Sequence, residues 1–277
     1  MTTDMRRAFP HTDGPTLICE DYGGDGPTVV ALHGTFGRGS VFARLADDLA
    51  GAARIVAPDQ RGHGSTGAAG SYRREDFVTD AAALVRALDS GPVVVLGHSL
   101  GGITAYQLAA RHPELVAGLV IEDVGPLMRR PEIEHPVLEV RGWPRTAPTR
   151  AALAAAIEER GVPDSSYFLR SAVETPDGWR LLFGWEDMAE VQARGTGDWW
   201  ADWLGSHCPA RVLRGGRSTL LPAHLAAEMV RRRPDTDLLV HPEAGHWIHD
   251  DDPGWFARAV AEFLAVPLSV GGGGVTP

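Results

Sequence analysis

The sequence predicts an α/β protein in which a mostly parallel sheet is covered by helices and interrupted by an insertion. Three observations carry that expectation. Short apolar runs alternate with helix-like stretches along the first part of the 277-residue chain. The alternation breaks over residues 127–206, where β-branched strand runs are missing. It resumes at residue 210 and continues to residue 264.

Taken in order, TVVALHG (28–34) is an apolar, β-branched run stopped by glycine and reads as a buried strand. SVFARLADDLA (40–50) has apolar residues at helical spacing. ARIVAPDQRGHGST (53–66) reads as a strand followed by a polar, glycine-rich loop. REDFVTDAAALVRALD (74–89) is a helix with acidic residues near its start, where the helix dipole favours them. PVVVLGHSLGG (92–102) is a strand running into a sharp turn, and ITAYQLAARHP (103–113) continues as a helix stopped by Pro113. LVAGLVIEDVGP (115–126) is a strand ending at acidic residues and a Gly-Pro pair. The interruption holds helical pieces such as TRAALAAAIEERG (149–161), and six of the eight tryptophans: Trp143, Trp179, Trp185, Trp199, Trp200 and Trp203. Beyond it, ARVLRGG (210–216) and TDLLVHPEAGHW (236–247) read as strands running into loops, and LPAHLAAEMVRRR (221–233) and PGWFARAVAEFL (253–264) as helices. The expected organisation is a core of residues 1–125 and 207–266, a helical insertion at 126–206 and a flexible glycine-rich tail at 267–277.

Composition narrows the function. A net charge of −10 makes nucleic acid a poor partner, because an acidic surface repels phosphates. No basic run suited to anionic membranes, no apolar run long enough to span a bilayer and no secretory h-region is found. The two cysteines, Cys19 and Cys208, form no CxxC or disulfide framework. The expectation is a cytoplasmic monomer or homodimer acting on a small molecule, with no cofactor and no metal.

The strongest chemical signal is Gly97-His98-Ser99-Leu100-Gly101, a G-x-S-x-G between a strand and a helix. That context puts Ser99 on a strained turn at the carboxyl end of the sheet, beside helix N–H groups that can hold an oxyanion. The plain alternative is a serine that merely caps the helix. A serine hydroxyl needs a base within hydrogen-bond reach. His246, in the glycine-containing loop after the last strand, is the best placed of 11 histidines. His241 ends that strand, and His249 opens an aspartate-rich helix start where exposure is expected. A second oxyanion donor is expected from the loop His33-Gly34-Thr35-Phe36-Gly37, through the N–H of Thr35 or Phe36, beside that of Leu100.

HG at 33–34, DQRGHGST at 59–66, GHSLGG at 97–102 and AGHWIHDDDP at 244–253 together resemble the α/β-hydrolase superfamily over roughly residues 15–265. The resemblance implies a Ser–acid–His triad in that chain order and a lid inserted after the sixth strand, matching the break. It also exposes a departure. The acid commonly follows the strand that here reads ARVLRGG, yet that loop is Arg217-Ser218-Thr219-Leu220, without a carboxylate. Asp123, one strand earlier, is the replacement candidate, with Ser218 or Thr219 adding a hydrogen bond; some small esterases of the family resemble this arrangement. Glu122 is the weaker neighbour, since strand alternation points it to the opposite face. A chain with no functional acid is the remaining case.

Other signals carry less. GHGSTG (62–67) matches G-x-G-x-x-G but lacks a strand-to-helix context. His246, His249 and the aspartates 250–252 lack a metal-ligand pattern, and the aspartates read as helix-capping charge. The insertion's tryptophans read mainly as anchors and secondarily as pocket walls. The expected function is hydrolysis of a carboxylic ester, lactone or thioester of a small, largely apolar substrate through an acyl-enzyme on Ser99. Two alternatives are other chemistry in the same site (C–C bond hydrolysis, acyl transfer, cyclisation) and a non-catalytic ligand-binding homologue.

Overall fold

A computed structural model of the chain describes residues 5–12 and 14–266; the expected flexible tail, 267–277, lies outside them. Eight strands form one sheet: β1 (Arg6–Phe9), β2 (Leu17–Asp21), β3 (Thr28–Leu32), β4 (Arg54–Pro58), β5 (Val93–His98), β6 (Val116–Glu122), β7 (Ala210–Gly215) and β8 (Thr236–His241). Their order is β1-β2-β4-β3-β5-β6-β7-β8. The first two strands pair antiparallel with each other, and β2 pairs antiparallel with β4. All other neighbours are parallel, so those six strands point their carboxyl ends to one edge.

Strand alternation explains why the central strands are continuous apolar runs. Val29 and Ala31 of β3 enter one core cluster, while Val30 and Leu32 enter the other. One cluster lies under α1 (Ala43–Leu49) and the later helix Pro253–Leu264, represented by Leu45 and Phe256. The other lies under α2 (Arg74–Leu88), α3 (Leu100–Arg111) and α4 (Ala223–Arg232), represented by Val78, Ile103 and Leu225. Both faces are covered, so both sets of side chains must be apolar. Asp252 starts the Pro253–Leu264 helix by accepting from the Trp255 N–H at 2.9 Å, as the capping reading expects.

Between β6 and β7 the chain leaves the sheet. The expectation of a purely helical insertion is corrected. Besides the helices Arg150–Glu158, Ser166–Leu169, Trp185–Gly195 and Trp200–Gly205, it contains two small sheets. One joins Thr146–Ala147, Gly178–Leu181 and Ala172–Thr175, and the other pairs Leu127–Met128 with Gly197–Asp198, all antiparallel. Strands of two to four residues are too short to show a period. The Thr175-Pro176-Asp177-Gly178 turn is the signal that marks the hairpin, with Gly178 at φ +118. The tryptophans act mainly as anchors. Trp203 is fully buried, donates its indole N–H to the Met229 carbonyl at 3.2 Å and lies edge-on to Tyr106.

Candidate active site

The turn after β5 holds Ser99 at φ 52 and ψ −117, a region that side-chain-bearing residues avoid. Its neighbours show why glycines flank it. A Cβ on Gly97 would strike the backbone of Gly101, and one on Gly101 would strike the carbonyl of Leu32. The Ser99 N–H is tied to the Glu122 carbonyl at 3.1 Å. Its side chain makes no capping hydrogen bond, which removes the plain reading of a helix-capping serine.

His246 follows β8 and reaches back to β6. Its Nδ1 lies 2.8 Å from Oδ2 of Asp123. A carboxylate oxygen accepts, so this contact puts a ring proton on Nδ1 and leaves Nε2 as the lone-pair nitrogen of the neutral ring. Asp123 is fully buried at φ 51, with its own N–H on the Leu213 carbonyl at 2.8 Å. Its Oδ1 accepts from the Gly215 N–H at 2.9 Å, and its Oδ2 from the Ser218 hydroxyl. The loop that lacks a carboxylate thus contributes a hydroxyl to the one next door. Thr219 makes no such bond and lines the cavity instead.

The loop after β3 is pinned from beneath. His33 places Nδ1 2.7 Å from the Gly34 carbonyl, and its Nε2 accepts from the Gln60 N–H at 3.0 Å. Burial pushes its pKa down to about 4, so the ring is neutral with its proton on Nδ1. Phe36 takes φ 71, and its carbonyl accepts from the Ser171 hydroxyl at 2.6 Å. Its ring stacks on Trp143 at 5.7 Å and meets Phe168 and Phe183 edge-on. The insertion therefore grips this loop.

Thr35, Phe36, Ser99, Leu100 and His246 all line one cavity of about 380 Å³. The insertion adds Met128, Val137, Leu138, Phe168 and Val191 to its wall. None of the insertion's six tryptophans is in the lining; Trp247, next to the candidate base, is.

A sequence profile of the alpha/beta hydrolase family matches residues 29–259. The chain belongs to the alpha/beta hydrolase family. Among its relatives is a 2-(acetamidomethylene)succinate hydrolase of Mesorhizobium japonicum, 28% identical over 87% of this chain and 89% of that protein. A pimeloyl-[acyl-carrier protein] methyl ester esterase of Chromobacterium violaceum is 31% identical over 87% of this chain and 95% of its own length. An sn-1-specific diacylglycerol lipase of Mus musculus is 29% identical over 86% of this chain and 81% of that one. A solved structure of an E-2-(acetamidomethylene)succinate hydrolase superposes with a TM-score of 0.82 at 26% identity, covering 94% of this chain and 99% of that one. These three relatives of this alpha/beta hydrolase thus carry the names hydrolase, esterase and lipase. No helix among the described residues is long and apolar enough to cross a membrane.

One expectation about this hydrolase is overturned. His249 is not an exposed residue of a helix start; it is 6% exposed. Its Nδ1 lies 2.8 and 3.0 Å from the Glu122 carboxylate, and its N–H lies 3.0 Å from the same group. Burial disfavours a charged His249 ring, but the charge and hydrogen bond of Glu122, helped by Asp250, outweigh it and raise the pKa above the ordinary value. Glu122 bonds His249 and not His246, in line with its opposite-face assignment. The neighbouring His98 is buried and held well below its ordinary pKa, first by burial and then by His246 and His249. A neutral ring facing a carbonyl must donate to it, so His98 Nε2–H bonds the His246 carbonyl at 3.0 Å. His98, Glu122 and His249 each bring a ligand-type atom within 4.8 Å of the others, the group among the described residues with spacing suited to a metal ion. The Ile248-His249-Asp250-Asp251-Asp252 run masked this cluster. The sequence offers two adjacent carboxylates, Glu122 and Asp123, and two histidines three residues apart, His246 and His249, but only the fold brings them together.

Proposed function

We propose that the protein is a serine hydrolase that cleaves a carboxylic ester, lactone or thioester of a small, largely apolar substrate. The observation that carries this reading is the 2.8 Å contact between His246 Nδ1 and the buried Asp123, which orients the imidazole for the role of base. Ser99 Oγ attacks the substrate carbonyl while His246 Nε2 takes its proton. The N–H groups of Leu100 and of Thr35 or Phe36 receive the oxyanion. Asp123 keeps the ring oriented and stabilises the imidazolium as it forms. The tetrahedral intermediate collapses, His246 protonates the leaving alkoxide or thiolate, and an acyl group remains on Ser99. Water, deprotonated by His246, then attacks the acyl-enzyme, and the acid leaves as Ser99 regains its proton.

The cavity wall supports the apolar part of the reading. Arg217 is the one arginine among the described lining residues, and its guanidinium is paired with Glu243. That wall suits the acyl or lipid-like groups named for the esterase and lipase relatives better than the succinate named for the other. Residues 126–206 act in this reading as a lid that shapes the cavity. The two cysteines, both free and buried, suit the reducing cytoplasm in which we place the enzyme.

A fluorophosphonate probe should modify Ser99, located by peptide mass spectrometry, and short p-nitrophenyl esters should be hydrolysed. Folded Ser99→Ala protein that retains full esterase turnover would overturn the reading.

A further inference from the structure

The end of β6 carries two neighbouring carboxylates, and each holds a histidine of the segment that follows β8. Asp123 takes His246 at the cavity. Glu122, 0% exposed, takes His249, and neither of these two lines the cavity. Burying such a pair is costly, and well-packed apolar residues in its place are often as stable or more so. Stability alone therefore does not account for it.

The connections around the pair do. The Ser99 N–H bonds the main-chain carbonyl of Glu122 at 3.1 Å. The Glu122 side chain bonds both the N–H and the ring of His249. Three residues back along the chain, the carbonyl of His246 bonds the ring of His98 at 3.0 Å. His98 is joined by a peptide bond to Ser99. The circuit closes: elbow to Glu122, Glu122 to His249, His249 along the chain to His246, His246 to His98, and back to the elbow. Every link holds backbone, so the circuit sets the separation between the main chain under Ser99 and the main chain under His246.

We propose that Glu122 and His249 are positioning residues that lock the His246 loop against the serine turn and so act on the proton-transfer step. The proposal rests on the reading of Ser99 and His246 as nucleophile and base. Neither Glu122 nor His249 touches substrate; each acts through the placement of His246. Misplacement of a base by an ångström costs about a hundredfold in rate, so the effect belongs in kcat and leaves KM nearly unchanged.

Two His249 variants test this in the full chain. His249→Phe keeps a ring but removes the Nδ1 donor, leaving only the main-chain N–H on Glu122, and His249→Asn keeps a side-chain N–H donor near the place of Nδ1. Turnover of a p-nitrophenyl ester, the rate of Ser99 phosphonylation and thermal melting are measured for each. His249→Phe is expected to lower kcat and the phosphonylation rate together by about 10- to 100-fold, with KM within about twofold. His249→Asn is expected to recover most of that loss. A folded His249→Phe with wild-type kcat and labelling overturns the proposal, as does a His249→Asn no better than His249→Phe. If His249→Phe does not fold, Glu122→Gln decides. It keeps an acceptor oxygen but loses the charge, and a wild-type kcat in it overturns the proposal. Activity lost to EDTA and restored by zinc would also overturn it, by making the trio a metal site. Failure of the underlying hydrolase reading looks different, because wild-type protein would then resist phosphonylation altogether.

Discussion

The carboxyl edge of the sheet and the insertion face each other across one cavity, and they are built in opposite ways. At the sheet edge, Ser99, Asp123 and Phe36 all sit at positive φ, and Asp123, Glu122, His33 and His98 are buried with defined hydrogen-bond partners. Across the cavity, the insertion presents mostly apolar side chains. One of its cross-links is the exposed pair of bonds between Gln192 and the main chain of Leu138, at 2.7 and 3.1 Å. Strained, buried geometry tolerates few substitutions; an apolar wall tolerates many. In the proposed reading, the difference assigns reactivity chiefly to the sheet edge and selectivity chiefly to the insertion wall, with the Phe36 loop as the place where the two meet.

Ser99→Ala on the sheet side should have the largest effect, removing roughly 10⁴-fold or more of ester turnover without unfolding the protein. Residual activity near wild type would dissolve the contrast. Asp123→Asn should fold and lose about 10²- to 10⁴-fold in kcat, because the ring of His246 loses its orienting acceptor. A dead Glu122→Gln beside a healthy Asp123→Asn would show that the wrong carboxylate was assigned.

Acid should attack the sheet side next. His33 and His63 are buried and held down to about 4 and about 3, each chiefly by burial. Below an unfolded pKa near 6.5 the unfolded chain binds protons that these folded rings refuse, so stability falls as pH falls. At pH 5 each site costs about 2 kcal/mol by linkage. His249 works in the other sense. With its pKa raised, its contribution is fully present below the unfolded pKa and is lost as pH rises through the folded one. Melting temperature between pH 7 and pH 5 should therefore drop. A flat profile would mean that the two buried rings are not held neutral in the fold.

Smaller effects should come from the insertion side. Ser171→Ala removes the donor to the Phe36 carbonyl and should lower kcat about tenfold or less, with ground-state binding preserved. Gln192→Ala should shift the preference between short and long acyl esters by only about threefold, since exposed hydrogen bonds contribute little. A larger loss of kcat with Gln192→Ala than with Ser171→Ala would break the assignment of selectivity to the wall.

Much of the sheet side was legible. G-x-S-x-G is readable because Gly97 and Gly101 are demanded by the near contact of backbone with backbone. Asp123 could be reached because the loop at 217–220 has no carboxylate, and the Ser218 bond to Asp123 follows the same logic. The Glu122–His249 pair was not legible, since charge in HDDDP reads as solvent exposure and only the fold brings β6 to that loop. The insertion's small strands escaped because their register is set by tertiary contacts and not by an alternating pattern. Its tryptophans show the same limit: composition marked them as important, but which ones touch the cavity depends on packing.

Phe36 ties the two sides together. Its unfavourable φ is held by a hydroxyl and aromatic rings that all belong to the insertion. Removing those contacts would leave that peptide unit without the partners that hold it at φ 71. In the proposed reading, the backbone geometry at one of the two candidate oxyanion donors is thus set from across the cavity, so changes in the wall would be felt in the loop beneath it.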